Sequence, residues 1–232
     1  MSLPLFYEHN ISGNGSFIVS EDTSRHIVQV LRLKKGQELQ LTNGKGQTFL
    51  AALSIDHKKA AEVNILSMAE TPYPMPQITI AISLIKNKNR FEWFLEKATE
   101  IGIQRIIPMI CERTEKEYFR HERLNSILIS AMLQSQQSWL PLLTEPLPFS
   151  AALNMDIPNR FIAHCHNEKM KPFVSNVTQP GNKIILIGPE GDFTKQEIDL
   201  ASEYNFIPVS LGDTRLRTET AGMVACVLLN SV

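Results

Sequence analysis

Ile187-Gly188-Pro189-Glu190-Gly191-Asp192-Phe193 is entered from the apolar run Lys183 to Ile187. Leu211-Gly212-Asp213-Thr214-Arg215-Leu216-Arg217-Thr218-Glu219-Thr220-Ala221 is entered from Phe206 to Leu211. Each segment leaves a strand-like run, turns through glycine and enters a helix-like stretch, which is how open α/β proteins build ligand sites at the carboxyl ends of their strands. Glycine at 188 and 212 lets backbone amides approach a ligand closely, and Glu190, Arg217, Thr218, Glu219 and Thr220 bring donors and acceptors to the same rim.

Working outward, the same strand and helix alternation continues. Ile78 to Ile85 is nearly all apolar. Phe91, Phe94, Leu95, Ala98 and Ile101 then share one helical face before Gly102, and Ile103 to Ile110 reads as the next strand. A helix is expected over Glu122 to Gln137, strands over Arg160 to Cys165 and Lys183 to Ile187, and a helix over Thr194 to Glu203 opened by a Thr194/Glu197 capping box. The last helix runs from about Thr218 to Leu229. Its small residues Ala221, Gly222 and Ala225 share a face suited to close packing, for which packing on the chain's own sheet is the plain explanation. The alternation implies α/β architecture with a mostly parallel sheet.

Thr71-Pro72-Tyr73-Pro74-Met75-Pro76 interrupts this pattern with three prolines and reads as a connector. Before it, the short alternating runs Ser16 to Val19, Gln37 to Leu41 and Thr48 to Ile55, with the hairpin signal Asn43-Gly44-Lys45-Gly46, describe a small β-rich module. One helix is expected there, over Glu21 to Leu31.

With 43% hydrophobic residues in 232, the chain can bury a core of two modest domains. Its apolar runs are too short to span a membrane, and Met1 to Asn10 lacks the pattern of an export signal, so a cytoplasmic protein without a membrane partner is expected. Cys111, Cys165 and Cys226 are scattered and odd in number, which suggests free thiols. A net charge of −1 excludes a generic nucleic-acid coat. Local clusters remain: Arg25, Arg32, Lys34 and Lys35, and then Lys86, Lys88 and Arg90, each a candidate RNA-backbone contact or solvated surface.

Together with Arg25-His26-Ile27-Val28-Gln29-Val30-Leu31-Arg32-Leu33 and Glu92-Trp93-Phe94-Leu95-Glu96-Lys97-Ala98-Thr99-Glu100-Ile101-Gly102, the two glycine segments resemble the signature of the 16S ribosomal RNA uridine N3-methyltransferase family. That family is a branch of the SPOUT class, and the four matches occur in order along the whole chain. The resemblance implies a PUA-like β-barrel RNA-binding domain at 1–70, a proline-rich linker at 71–76 and a SPOUT methyltransferase domain with a trefoil knot at 77–232. It also implies S-adenosyl-L-methionine as donor, a homodimer, and 16S ribosomal RNA within the small ribosomal subunit as partner. The cofactor set it implies is Leu186, Ile187, Gly188, Glu190, Gly191, Leu211, Gly212, Leu216, Thr218, Thr220 and Ala221. Asp192 departs from the family, which often carries a second glycine there.

Methylation of uracil N3 needs in-line positioning and loss of the imide proton. Arg217, Glu219 and Glu190 are the candidate catalytic residues: Arg217 to orient uracil or stabilise charge on its carbonyl oxygens, and either carboxylate as base, with solvent as the other acceptor. Plainer roles are a helix-dipole partner for Glu219, a cap for Thr218 and an Arg217/Glu190 ion pair. His164-Cys165-His166 offers too few convergent ligands for a metal, and no Walker A or GxGxxG sequence is present. Trp93 and Phe94 are expected in the core. Other functions compatible with the fold are a non-catalytic RNA-binding or ribosome-assembly factor, or a methyltransferase acting on another RNA.

Overall fold

Period-two alternation and an apolar face make the first part of the chain a sheet. The protein is described here by a computed structural model, which covers residues 3–115, 118–166, 171–177 and 179–231. The chain divides into two compact units, Met1–Tyr73 with Met132–Leu140, and Pro74–Ala131 with Pro141–Val232.

The first unit contains β1 (Leu5–Tyr7), β2 (Gly15–Ile18), α1 (Glu21–Arg25), β3 (Glu38–Thr42), β4 (Gln47–Ile55) and β5 (Glu62–Glu70), with sheet order β1-β3-β4-β5-β2. Asn43 to Gly46 closes the antiparallel β3/β4 hairpin, and Leu39, Leu41, Phe49, Ala51, Leu53 and Val63 form the core. Gly46 is obligatory twice over. Its φ is +85°, and a Cβ there would lie 2.4 Å from the Trp139 ring. Trp139 also donates from Nε1 to the carbonyls of Thr71 and Pro72 and meets Tyr73 edge-on at 4.6 Å, so the start of the proline segment is pinned.

The helix expected over Glu21 to Leu31 is not a single α-helix. After Arg25 the backbone widens into one π-helical stretch, His26–Val30, closed by Leu31 N–H donating to His26 O and by Arg32 at φ +56°. The wider turn accompanies the burial of Ile27 and the edge-on contact of His26 with Phe6 at 5.4 Å.

The second unit runs β6 (Ile78–Ser83), α2 (Lys88–Ile101), β7 (Arg105–Ile110), α3 (His121–Gln134), β8 (Leu142–Leu143), β9 (Leu147–Pro148), α4 (Phe149–Leu153), β10 (Asn159–Ala163), α5 (Val174–Val177), β11 (Lys183–Ile187), α6 (Lys195–Glu203), β12 (Ile207–Val209) and α7 (Thr218–Asn230). Its strands are ordered β12-β10-β11-β6-β7-β8, with β9 also on β7, and every recorded pairing is parallel. Strands β6 and β11 are buried at every position, as expected for a sheet covered on both faces.

Local signals explain the helix ends. Asn87 caps α2 and left-handed Gly102 (φ 91°) ends it, while Thr194 and Glu197 form both bonds of a capping box on α6. The helix expected to reach Gln137 stops at Gln134, because Gln136 takes φ +57° and Gln137 N–H returns to Met132 O. Phe94 is fully buried, but Trp93 is 37% exposed, contrary to the core assignment: neighbours on a helix point about 100° apart, and Phe94 takes the inward position.

Helix α7 packs on α2, β6 and β11. A Cβ at Gly222 would lie 2.7 Å from Phe94 on α2 and 2.9 Å from Ile82 on β6, so the small residue serves close packing on both that helix and the sheet. Beneath the end of α7, buried Lys183 donates from Nζ to Leu229 O, and burial lowers its pKa. All three thiols are free. Cys111 and Cys226 are buried, the former with its pKa pushed up to about 12 by desolvation, and Cys165 is exposed.

Candidate active site

Parallel order brings the carboxyl ends of β10, β11 and β12 side by side, and the segments leaving them meet around an open cleft of about 1020 Å³. The loop after β11 supplies Gly188 and Glu190, the segment between β12 and α7 supplies Leu211, Gly212 and Leu216, and α2 adds Arg90 from its first turn.

The loop after β11 is tied on three sides. Glu190 Oε1 accepts the Lys86 N–H at 3.1 Å, Gly191 O accepts from Arg113 Nη1 at 2.8 Å, and the Asp192 carboxylate accepts the N–H groups of Phe193 and Cys165, both at 2.8 Å. Asp192 stands at φ +63°, a left-handed conformation that glycine adopts freely and that Asp tolerates better than most side chains. Phe193 is fully buried behind the loop. A Cβ on Gly188 would lie 3.1 Å from its ring.

The β12–α7 segment is held mainly by its own bonds and those of its start. Ser210 Oγ donates to Gly212 O, Ser210 N–H donates to Pro172 O, and Val174 N–H donates to Ser210 O. Gly212 has φ +157° with open space where a Cβ would stand. Arg217, in extended conformation, is the N-cap of α7. Thr218 is therefore not the cap. It lies in the first turn, and its buried hydroxyl donates to Gly188 O at 3.0 Å, joining the two segments.

Of the residues expected from sequence, Ile187, Gly188, Glu190, Leu211, Gly212, Leu216, Arg217, Thr218 and Ala221 line the cleft, as does Arg90. Leu186 is instead fully buried in the core, Gly191 faces Arg113, and Thr220 is a partly buried helix residue that does not line the cleft. The Arg217/Glu190 pair is not formed. Glu190 takes the Lys86 N–H, and the Arg217 side chain has no hydrogen bond or ion pair among the described residues. Glu219 lies behind Arg90, 3.6 Å from its Nε, with only 6% of the residue exposed and Oε2 lacking a hydrogen-bond partner among the described residues.

Lys171, Phe173, Ser210 and Asp213 also line the cleft and were not singled out from sequence. Finding Lys171 and Phe173 requires knowing that β10 lies between β11 and β12, a strand order that hydrophobic periodicity does not carry. Lys171 donates from Nζ to His164 O, and burial lowers its pKa. His166 Nε2 is bonded to Phe193 O, and no cluster of three or more metal-binding side chains is present among the described residues.

The basic clusters are unequal. Arg25 is held by Glu21 at 3.5 Å and Asp22 at 3.1 Å, and Lys86 by Glu115 at 2.6 Å. Arg32, Lys34 and Lys35 have no carboxylate partner among the described residues, so their charge is available to an external anion. Lys88, which forms no ion pair within 4 Å among the described residues, lies over the Tyr118 ring at 6.0 Å, and, secondary to the Arg123 hydrogen bond, its charge helps lower the Glu92 pKa. No helix is long and apolar enough to cross a membrane among the described residues.

A family model for the RNA methyltransferase domain matches residues 71–230, and one for the RNA methyltransferase PUA domain matches residues 19–66. The chain is 31% identical to a ribosomal RNA small subunit methyltransferase E from a Synechocystis species, over 89% of this chain and 70% of that one. A probable rRNA-methyltransferase from Porphyromonas gingivalis superposes with a TM-score of 0.92 at 36% identity, covering 99% of this chain and 98% of that one. A ribosomal RNA small subunit methyltransferase E from Neisseria gonorrhoeae, solved bound to S-adenosyl methionine, gives 0.86 at 30% identity, covering 99% and 98%. The glycine segments that frame the cleft thus lie in the matched catalytic region, and the chain belongs to the ribosomal RNA small subunit methyltransferase E family, joining a PUA domain to an RNA methyltransferase domain.

Proposed function

We propose that the protein methylates N3 of a uridine in 16S ribosomal RNA of the small ribosomal subunit, with S-adenosylmethionine as donor. The observation that carries this reading is the cleft itself: two glycine-bearing segments of the methyltransferase domain meet at the carboxyl ends of β11 and β12, parallel strands that flank β10. Its chemistry fits the donor. Ile187, Leu211 and Leu216 offer an apolar slot for adenine, Gly188 lines the cleft, the backbone at Gly212 stands beside open space, and Glu190 and Arg217 supply polar contacts. Bound there, the donor supplies an activated methyl group. The chain's own residues hold it between the two segments and orient the base, with Arg217 directed at uracil oxygens.

The domain reading is a PUA-like β-barrel at 1–70, a linker at 71–76 and a knotted SPOUT domain at 77–232. Support for the knot comes from chain path, since β12 lies at the sheet edge whereas the next helix, α7, packs on central β6 and β11. Arg32, Lys34, Lys35 and Lys88 are the preferred RNA-backbone contacts, with Arg25 and Lys86 discounted by their carboxylate partners. The reading includes a cytoplasmic homodimer.

Mass mapping of 16S ribosomal RNA from a strain lacking the gene should show loss of one N3-methyluridine, restored by the wild-type chain. An unchanged methylation pattern would overturn the assignment.

A further inference from the structure

The Arg90/Glu219 pair assigns these residues different work from the base and phosphate-contact roles that sequence suggests. Glu219 is in the first turn of α7, and Arg90 is in the first turn of α2 with its side chain at the cleft. The carboxylate is nine-tenths buried, one oxygen faces Arg90 Nε at 3.6 Å, and the other has no hydrogen-bond partner among the described residues. A buried carboxylate with this little hydrogen bonding is costly unless a cation stays beside it, and Arg90 is the cation present. The Arg90 side chain remains 40% exposed. A guanidinium held through Nε keeps its terminal N–H groups for another acceptor.

Arg217 lines the same cleft and has no side-chain partner among the described residues. Three guanidiniums line the cleft: Arg90 is anchored, Arg217 is held at the N-cap of α7 beside Thr218 with its side chain unengaged, and Arg215 lies in the exposed stretch before it. Uracil N3 lies between two carbonyl carbons, and when N3 loses its proton the negative charge spreads onto both oxygens. We propose that Arg90 and Arg217 each take one of these oxygens, so that paired cationic donors favour the deprotonated imide and Glu219 acts as a positioning residue for Arg90. This rests on the methyltransferase reading above. In the balanced reaction the N3–H bond breaks and its proton passes to water. The N3–carbon bond forms as the donor's sulfur–carbon bond breaks, and the sulfonium leaves as a neutral thioether. Neither Glu219 nor Glu190 need accept the proton.

The other ionisable groups around the cleft are Glu190 and Asp192 after β11, Asp213 and Arg215 before α7, and Lys171, Cys165 and His164 after β10. They are unchanged in the test variants and common to every profile. Single-turnover methylation of 16S ribosomal RNA, at saturating RNA and donor, is measured against pH for wild type, Arg90→Gln, Arg90→Lys and Glu219→Gln. Donor affinity is followed by calorimetry. At neutral pH, Arg90→Gln should be about 100-fold slower, in the range for loss of one charge-stabilising donor. The deficit should shrink as rising pH removes the imide proton without help, and Arg90→Lys and Glu219→Gln should fall between. A deficit constant across pH, an unchanged rate, or a loss explained by donor affinity would overturn the inference. Absence of methyl transfer by wild type would instead sink the functional reading.

Discussion

The two segments that frame the cleft are built on opposite principles. The one after β11 is fastened to the β6–α2 connection, to Arg113 and to the Cys165 backbone, and it rests on buried Phe193. The one before α7 is anchored near its ends, through Ser210 and Thr218, while Asp213, Thr214 and Arg215 between them are exposed. The glycines of the two segments therefore do different physical work. In the first, glycine is needed because protein already fills the space; in the second, because the backbone adopts an unusual φ beside open space. The first presents a pre-organised wall, and the second is the side free to adjust around a ligand.

Substitution at Gly188 should break this contrast most visibly. In Gly188→Val the new side chain drives into the Phe193 ring. We expect a loss of about 2–3 kcal/mol in urea unfolding together with loss of donor binding. Unaltered unfolding would show that Phe193 yields readily and that the wall is softer than its bonds imply.

Gly212→Ala should separate the two effects. The φ of +157° costs any side chain about 1 kcal/mol, and the Cβ enters space open to the ligand. Donor affinity by calorimetry should fall roughly tenfold or more while the melting temperature moves only a few degrees. Wild-type affinity would remove Gly212 from the donor contact.

Asp192→Gly should have the smallest effect on donor affinity. It removes two hydrogen bonds from backbone N–H groups to a carboxylate, each worth about 1.5–3 kcal/mol, and relieves a left-handed side chain worth about 1–2 kcal/mol. Stability in urea unfolding should therefore fall by roughly 1–5 kcal/mol while donor affinity stays within about 1 kcal/mol of wild type. A large drop in affinity alone would mean that the carboxylate itself meets the ligand.

What the sequence reveals follows from how local its cause is. The Thr194/Glu197 box, the Gly102 terminus and the Asn43–Gly46 hairpin each depend on residues close together in the chain, and they form as expected. The helix end at Gln136 carries no glycine to announce it, and the π-helical stretch after Arg25 accompanies the burial of Ile27 in a core assembled from distant strands. At the cleft, motif residues were legible, but partnerships were not. Glu219 meets Arg90 rather than serving only a helix end, Thr218 ties Gly188, and Gly191 turns to Arg113, all through contacts between residues far apart in sequence.

The placement of β11 between β10 and β6 also has a consequence for synthesis of the chain. Gln77 N–H bonds the side chain of Asn182, 105 positions later, where the central β6/β11 pair begins. Until that later segment is made, Ile78–Ser83 can pair with β7 but has an open apolar edge. At ordinary translation speeds this exposure lasts roughly 5–20 s. An unpaired strand edge invites association with other chains, so the nascent protein has its greatest need of chaperone protection after β7 emerges and before Lys183–Ile187 arrives.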